Sequence, residues 1–207
     1  MGVLFKRNPD IKQNAYPNWR RSIYPSSNFA IYSEMYKSGA DLLISWIKDN
    51  STYNADEVIL PAIFLYRHSL ELILKAILLT HYLMDDNMIR EKIKDKLKGH
   101  SLKNLWNKSE SIIRLYLSDS IKKDRKPFDL MKTAIEEMDL IDPSSMMFRY
   151  PYDNEYKDAQ LIGDKKKSYG IDYKWLMNNF DEVYSYFSGC FAVIFEQYER
   201  LEPVPVL

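Results

Sequence analysis

The chain has 207 residues, a length that fits one domain built around a single large hydrophobic core. Hydrophobic residues make up 46% of the sequence and charged residues 28%, a composition that excludes disorder as the main state. Because 29 basic residues balance 29 acidic ones, a globally basic nucleic-acid coat is excluded, although a local basic patch is not.

The N-terminal half of the sequence predicts an irregular arm followed by two long helices. Residues 1–25 are polar and contain three prolines, so we expect no regular structure there. Ser26 or Ser27 can cap a helix that runs to about residue 49, because apolar residues recur at helical spacing. A second helix is predicted from about Ala55 to Leu83. It is apolar over most of its circumference, which places it at the centre of the fold.

The C-terminal half predicts one short surface helix and three longer helices, at about residues 85–98, 101–118, 127–141 and 172–200. Residues 142–171 contain two prolines, two glycines and a lysine run, and they are expected to form one long loop with room for a short hairpin. Nothing marks a second domain. The sequence therefore predicts an all-α bundle of four to five main helices over residues 26–201, with residues 202–207 as a tail.

The most apolar stretch, Val58 to Met84, is long enough to cross a bilayer but carries several charged residues. Each charge near a bilayer centre would cost roughly 2.5–3.5 kcal/mol on insertion scales, so a membrane span is not expected. Met1 to Asp10 has no apolar core of signal-peptide length. The single cysteine, Cys190, cannot form an internal disulfide, which favours a reducing compartment. We therefore expect a cytoplasmic location.

Four polar residues interrupt the second predicted helix within the segment FLYRHSLELILKAILL, residues 64–79. On a helical projection, Arg67, His68, Glu71 and Lys75 fall within a stripe about 100° wide, and Glu71 can pair with Arg67 and Lys75. A solvated stripe is one interpretation. Because the neighbouring positions are nearly all apolar, a walled-in network of the kind found in phosphate-handling or acid–base sites is the other.

Three segments together suggest a family. The sequence YRHSLELILKAILL is followed by GHSLKNLW at residues 99–106 and by IDPSSMMFRYPYD at residues 141–153. In these segments the chain resembles bacterial HEPN-domain proteins. The resemblance implies a bundle of four or five helices that commonly dimerises. Many HEPN proteins are metal-independent ribonucleases of toxin–antitoxin, abortive-infection and CRISPR systems, whereas others bind nucleotides or serve as inactive partners.

The chain departs from the ribonuclease motif of that family, an arginine followed four to six residues later by a histidine. No arginine stands at that spacing before any of the three histidines, which are His68, His81 and His100. Activity would therefore need a different site. The candidate catalytic residues are Arg67, His68, Glu71, His100 and Arg149.

These residue types suit the cleavage of RNA without a metal. The reaction needs a base for the 2′-hydroxyl, an acid for the leaving 5′-oxygen and a cation for the charge on phosphorus. Histidine can fill either proton role, and arginine can clamp a phosphate. His100 lies in a Gly-His-Ser helix start, where backbone N–H groups favour anions. Alternatively, His100 simply packs beside the helix cap, and Arg149 simply anchors its loop.

Further lysines are candidates for phosphate contacts: Lys75, Lys165, Lys166 and Lys167. A run of three consecutive lysines is more often a solvated turn. The sequence has no residue spacing typical of a zinc site, a di-iron site or a glycine-rich nucleotide-binding loop. No metal or cofactor is therefore expected.

We therefore expect an RNA-acting, HEPN-like protein, a metal-independent ribonuclease of a bacterial toxin or anti-phage defence system. RNA or a nucleotide is the expected ligand. Surplus apolar residues on the last helix predict a homodimer, and a partner protein from the same operon is a further expectation. The alternative is a non-catalytic HEPN module that binds a nucleotide or a partner protein.

Overall fold

The computed structural model describes residues 9–50, 55–85, 88–143, 145–150 and 170–201, and it confirms the all-α prediction. Within these ranges there is no β-strand. A short 3-10 turn at Ile11–Gln13 precedes the helices. The seven α-helices are α1 (Pro25–Asn50), α2 (Ala55–Leu83), α3 (Arg90–Leu97), α4 (Leu102–Tyr116), α5 (Ser118–Lys123), α6 (Lys126–Ile141) and α7 (Tyr173–Leu201).

The bounds of the long helices agree closely with the sequence prediction, whereas the short helix α3 begins at Arg90 instead of about residue 85. No helix was predicted between residues 118 and 127, yet Ser118–Lys123 forms the short helix α5. Leu117 separates α4 from α5 because its backbone, at φ −117° and ψ 23°, leaves the helical region. Most of the predicted loop at residues 142–171, with its room for a hairpin, lies outside the described residues, as does the predicted tail at residues 202–207.

Helix α2 is the centre of the bundle. It packs against α1, α4 and α7, while α6 packs against α4 and α7. Sixteen of its residues are buried. Although α2 is mostly apolar, no helix in the described ranges is both long enough and apolar enough to span a membrane. Because α2 is surrounded by other helices, any polar residue on its buried faces needs a partner from the chain itself.

The apolar surplus of α7 is used largely within the chain. Its residues buried in the core are Phe180, Val183, Tyr184, Phe187, Cys190, Ile194 and Tyr198. The large apolar residues that α7 leaves exposed, Trp175, Val193 and Leu201, lie far apart along the helix. The sequence argument for a homodimer therefore loses much of its basis, and the dimer stays a prediction.

Candidate functional site

The polar stripe of α2 is walled in rather than solvated. The Arg67 side chain is 1% exposed and that of Glu71 is 2% exposed. The Nζ atom of Lys75 donates a hydrogen bond to Glu71 Oε1 at 2.8 Å, and Arg67 Nη1 lies 3.4 Å from Glu71 Oε2. Glu71 is thus a buried carboxylate between two cations one turn away on the same helix.

His100 reaches the same carboxylate from the start of α4. Gly99 turns the chain with φ of +90°, a conformation that glycine adopts readily. The Ser101 hydroxyl then caps α4 by accepting from the Asn104 amide. This turn brings His100 Nδ1 within 2.9 Å of Glu71 Oε1, while 62% of the His100 side chain stays exposed. Because Nδ1 faces a carboxylate, we assign it a proton, which leaves Nε2 as the nitrogen that can exchange protons with a substrate.

His68 lies on the other side of Glu71. Its Nδ1 is 4.0 Å from Glu71 Oε2. Its ring stacks on Phe64 of the same helix and meets the ring of Tyr36 from α1 edge-on, with centroids 4.4 Å apart. Burial lowers the pKa of His68, and the negative charge of Glu71 only partly opposes this shift. His68 is therefore neutral at neutral pH.

Arg67 connects three parts of the fold. Its Nη2 donates to the backbone carbonyl of His100 at 2.7 Å and to that of Asp142 at 3.4 Å. Its Nε also lies 3.1 Å from Asp142 Oδ2, as an ion pair. Arg67 thereby ties α2 to the start of α4 and to the end of α6. Its guanidinium is committed to these contacts and is too buried to clamp a phosphate.

Asp142 is the member of the cluster that sequence reasoning missed. Its side chain is fully buried, and its Oδ1 accepts hydrogen bonds from the amides of Met146 and Met147. An aspartate followed by proline directly after a helix is typical of a turn, in line with the loop predicted from residue 142. Nothing in the spacing indicates a pairing with an arginine 75 residues earlier.

The charges of the cluster balance one another. Burial by itself would raise the pKa of Glu71, but the hydrogen bonds and positive charges of Lys75 and His100 outweigh it and lower that pKa. Burial lowers the pKa of Arg67, against the opposing charges of Asp142 and Glu71. Arginine still remains protonated at neutral pH. Glu71 is therefore a carboxylate that holds His100 in a fixed orientation.

Arg149 lies beside the cluster without touching Glu71. Its Nε donates to the carbonyl of Ser145 at 2.6 Å, and its guanidinium lies 5.8 Å from the ring centroid of Phe64 and 5.6 Å from that of Tyr150. It thus anchors its loop and places a positive charge near the Phe64 ring, on which His68 stacks. The other predicted basic residues, Lys165, Lys166 and Lys167, lie outside the described residues.

The structure thus brings five predicted site residues together in one cluster: Arg67, His68, Glu71, Lys75 and His100. In the described part of the chain, no group of three His, Cys, Asp or Glu side chains is placed to hold a metal ion. The fold and site together define an all-α protein with a carboxylate–histidine cluster at the edge of its core. Comparisons with family models, with curated proteins and with solved structures find no match, so the HEPN resemblance stays a prediction.

Proposed function

We propose that this protein is an RNA-acting, HEPN-like ribonuclease that needs no metal ion. The observation that carries the proposal is the pair of imidazoles on the two oxygens of the buried Glu71. His100 Nδ1 lies 2.9 Å from Oε1, and His68 Nδ1 lies 4.0 Å from Oε2. Two histidines in unlike environments are the usual means of assigning one acid and one base.

The environments assign the two roles. His68 has a lowered pKa and is neutral at neutral pH, so it is the base that takes the proton of the RNA 2′-hydroxyl. His100 donates Nδ1–H to the Glu71 carboxylate, a hydrogen bond that orients the ring and leaves Nε2 to face the substrate as the acid. The 2′-oxygen forms a bond to phosphorus as the bond to the 5′-oxygen breaks. His100 Nε2 then protonates the leaving oxygen, and the product carries a 2′,3′-cyclic phosphate.

Purified protein incubated with tRNA in EDTA tests this proposal. We expect fragments that end in a 2′,3′-cyclic phosphate and no cleavage of the corresponding DNA. The His100→Ala variant should cleave at least about 100-fold more slowly, as expected for the loss of a general acid. His81→Ala is the matched control, because His81 lies on α2, as Glu71 does, but contacts the Tyr116 hydroxyl instead of Glu71. Absence of cleavage by the wild type, or equal cleavage by His100→Ala, would overturn the proposal.

A second candidate is a non-catalytic HEPN module that binds a nucleotide or a partner protein. The burial of Arg67 favours it, because a guanidinium held by backbone carbonyls cannot neutralise the charge on a reacting phosphate. A nucleotide at 100 times its dissociation constant should stabilise the fold by about 2.7 kcal/mol. A thermal-shift series with mono-, di- and triphosphate nucleotides measures this effect, and a flat response would leave only the partner protein.

The cellular role and assembly are part of the same proposal. A ribonuclease of a bacterial toxin or anti-phage defence system acts in the cytoplasm and works with the product of a neighbouring gene. An adjacent gene for a nucleotidyltransferase or an ATPase would support this role, and a sugar or amino-acid operon would contradict it. Light scattering tests the homodimer, since the chain alone has a mass of 24.6 kDa.

A further inference from the structure

A cleft of about 280 Å³ lies next to the cluster, where the N-terminal arm crosses α1. Its walls are Pro17, Asn18, Trp19 and Arg21 from the arm and Tyr32, Met35 and Tyr36 from α1. Trp19 is 78% exposed, although tryptophan is usually well covered in folded proteins. The cleft thus combines three aromatic side chains with an arginine.

The arm is held against α1 by specific hydrogen bonds. The Asn28 side-chain oxygen accepts from the amides of Arg21 and Ser22, at 2.8 and 3.0 Å. The Asn28 amide group donates to the carbonyls of Ser22 and Tyr24, and the Tyr32 hydroxyl donates to the carbonyl of Trp19. These bonds fix the backbone that carries Trp19. The cleft is therefore formed before any ligand arrives, which lowers the entropic cost of binding.

The charge around the cleft favours an anionic partner. Between residues 9 and 24 there is one acidic residue, Asp10, and there are three basic ones, Lys12, Arg20 and Arg21. The side chains of Arg20 and Arg21 are exposed, and no described carboxylate pairs with either in an ion pair. Aromatic faces beside exposed arginines are the combination that binds single-stranded nucleic acid, because bases stack on the rings and phosphates meet the cations.

Tyr36 connects this cleft to the cluster. Its ring lines the cleft, and it also meets the ring of His68 edge-on at 4.4 Å. We propose that the cleft binds an unpaired base of single-stranded RNA, stacked on Trp19, whose backbone continues toward His68. This inference rests on the proposed function and extends it to the substrate, because bases within a duplex cannot enter such a cleft.

A binding measurement with a probe that cannot be cleaved tests this inference apart from catalysis. The probe is a fluorescein-labelled 2′-O-methyl oligouridine, which lacks the attacking 2′-hydroxyl, and its anisotropy is followed as protein is added. Trp19→Ala should weaken binding about tenfold, the loss expected when one base no longer stacks. Trp19→Phe keeps an aromatic face and should restore most of the affinity. Trp175→Ala is the matched control, because Trp175 is similarly exposed but lies on α7.

The salt dependence gives an independent measurement. Arg21→Gln should lower the slope of log affinity against log salt concentration by about 0.7, the value for one phosphate contact on a single strand. Equal affinities of Trp19→Ala and wild type, or competition by duplex RNA as effective as by the single strand, would overturn the inference.

The two proposals fail separately. Trp19-dependent binding without any cleavage of RNA in EDTA would support the cleft and contradict the ribonuclease. Cleavage that depends on His100, with binding indifferent to Trp19, would support the ribonuclease and overturn the cleft.

Discussion

Two acidic residues organise polar clusters on α2, and the clusters differ in what surrounds them. At the first, Asp41 of α1 accepts from the Tyr66 hydroxyl at 2.6 Å and from Lys37 at 2.8 Å, and Lys37 also pairs with Asp181 of α7. At the second, Glu71 meets Lys75 and His100. Both clusters join helices across the bundle. Only the second contains imidazoles.

This difference separates a structural network from one suited to chemistry. Burial and the hydrogen bond to Asp41 raise the pKa of Tyr66 far above its usual value. Burial would lower the pKa of Lys37, but its bonds to Asp181 and Asp41 raise it overall. Both groups therefore keep their protons throughout the physiological range. The second cluster instead contains imidazoles, the side-chain type that most often serves as a general acid or base in proteins.

The largest expected effect comes from removing the Arg67 side chain, which joins α2 to its neighbours at the second cluster. In Arg67→Ala, the buried carboxylates of Glu71 and Asp142 lose a cationic partner, and breaking a buried pair in this way costs about 3–5 kcal/mol. Urea unfolding followed by circular dichroism measures the loss. Arg125→Ala is the control, because Arg125 forms an exposed pair with Asp129, worth about 1 kcal/mol or less. A loss of unfolding free energy in Arg67→Ala no greater than that in the control would contradict this structural role of Arg67.

The next test exchanges one carboxylate for an amide in each cluster. Asp41→Asn should cost about 1–3 kcal/mol of unfolding free energy, because its buried partners lose a charged acceptor, and RNA cleavage should be unaffected. Glu71→Gln should also slow cleavage by about 100-fold, since His100 loses the carboxylate that orients it. Cleavage rates and urea midpoints of the two variants are compared directly. Equal loss of cleavage in both variants would show that the clusters do not differ in function.

The helical architecture could be predicted from the sequence because its signals are local. Helical spacing of apolar residues placed α1, α2, α4, α6 and α7 to within a few residues. The short helix α5 was missed because its six residues, SDSIKK, show no apolar periodicity. A six-residue helix depends on its neighbours more than on its own sequence.

The contacts within the candidate site were predictable only where the two residues share a helix. Arg67, Glu71 and Lys75 are spaced four residues apart, so their pairing follows from helix geometry. The contact of His100 with Glu71 spans 29 residues and depends on how α4 packs against α2. Trp19 and Tyr32 are likewise joined by the course of the arm, which has no periodic pattern. Long-range contacts of this kind leave no signal in a single sequence.

A smaller effect is expected at the turn that positions His100. Gly99 has φ of +90°, and a side chain there would have open space but a strained backbone. Gly99→Ala should therefore cost about 1–2 kcal/mol of unfolding free energy. Gly189→Ala is the control, because Gly189 lies within α7, also with open space at its Cβ position, and alanine favours a helix there. Equal stability changes in the two variants, measured by thermal unfolding, would contradict the strained turn.

The smallest effect is a difference in how stability depends on pH. Burial lowers the pKa of His68 in the folded state, so the unfolded chain binds more protons than the folded one once the pH falls below its usual value of about 6.5. The contribution of His68 to the free energy of unfolding is therefore complete above that pH. It is lost as the pH falls through the folded-state pKa. Burial shifts the pKa of His81 in the same direction. The pKa of Glu71 is also lowered, but its contribution is lost at a more acidic pH, below about 4.3.

Urea unfolding between about pH 7.5 and pH 5 therefore reports the pH-dependent contributions of His68 and His81 to stability, and not that of Glu71. His68→Phe, which keeps an aromatic ring between Tyr36 and Phe64, should flatten the decline in stability over this range. Asp41→Asn should lower the whole curve without changing its slope, because neither Lys37 nor Tyr66 titrates there. A His68→Phe curve parallel to that of the wild type would show that burial does not hold His68 neutral, and would remove the physical reason for assigning it the role of base.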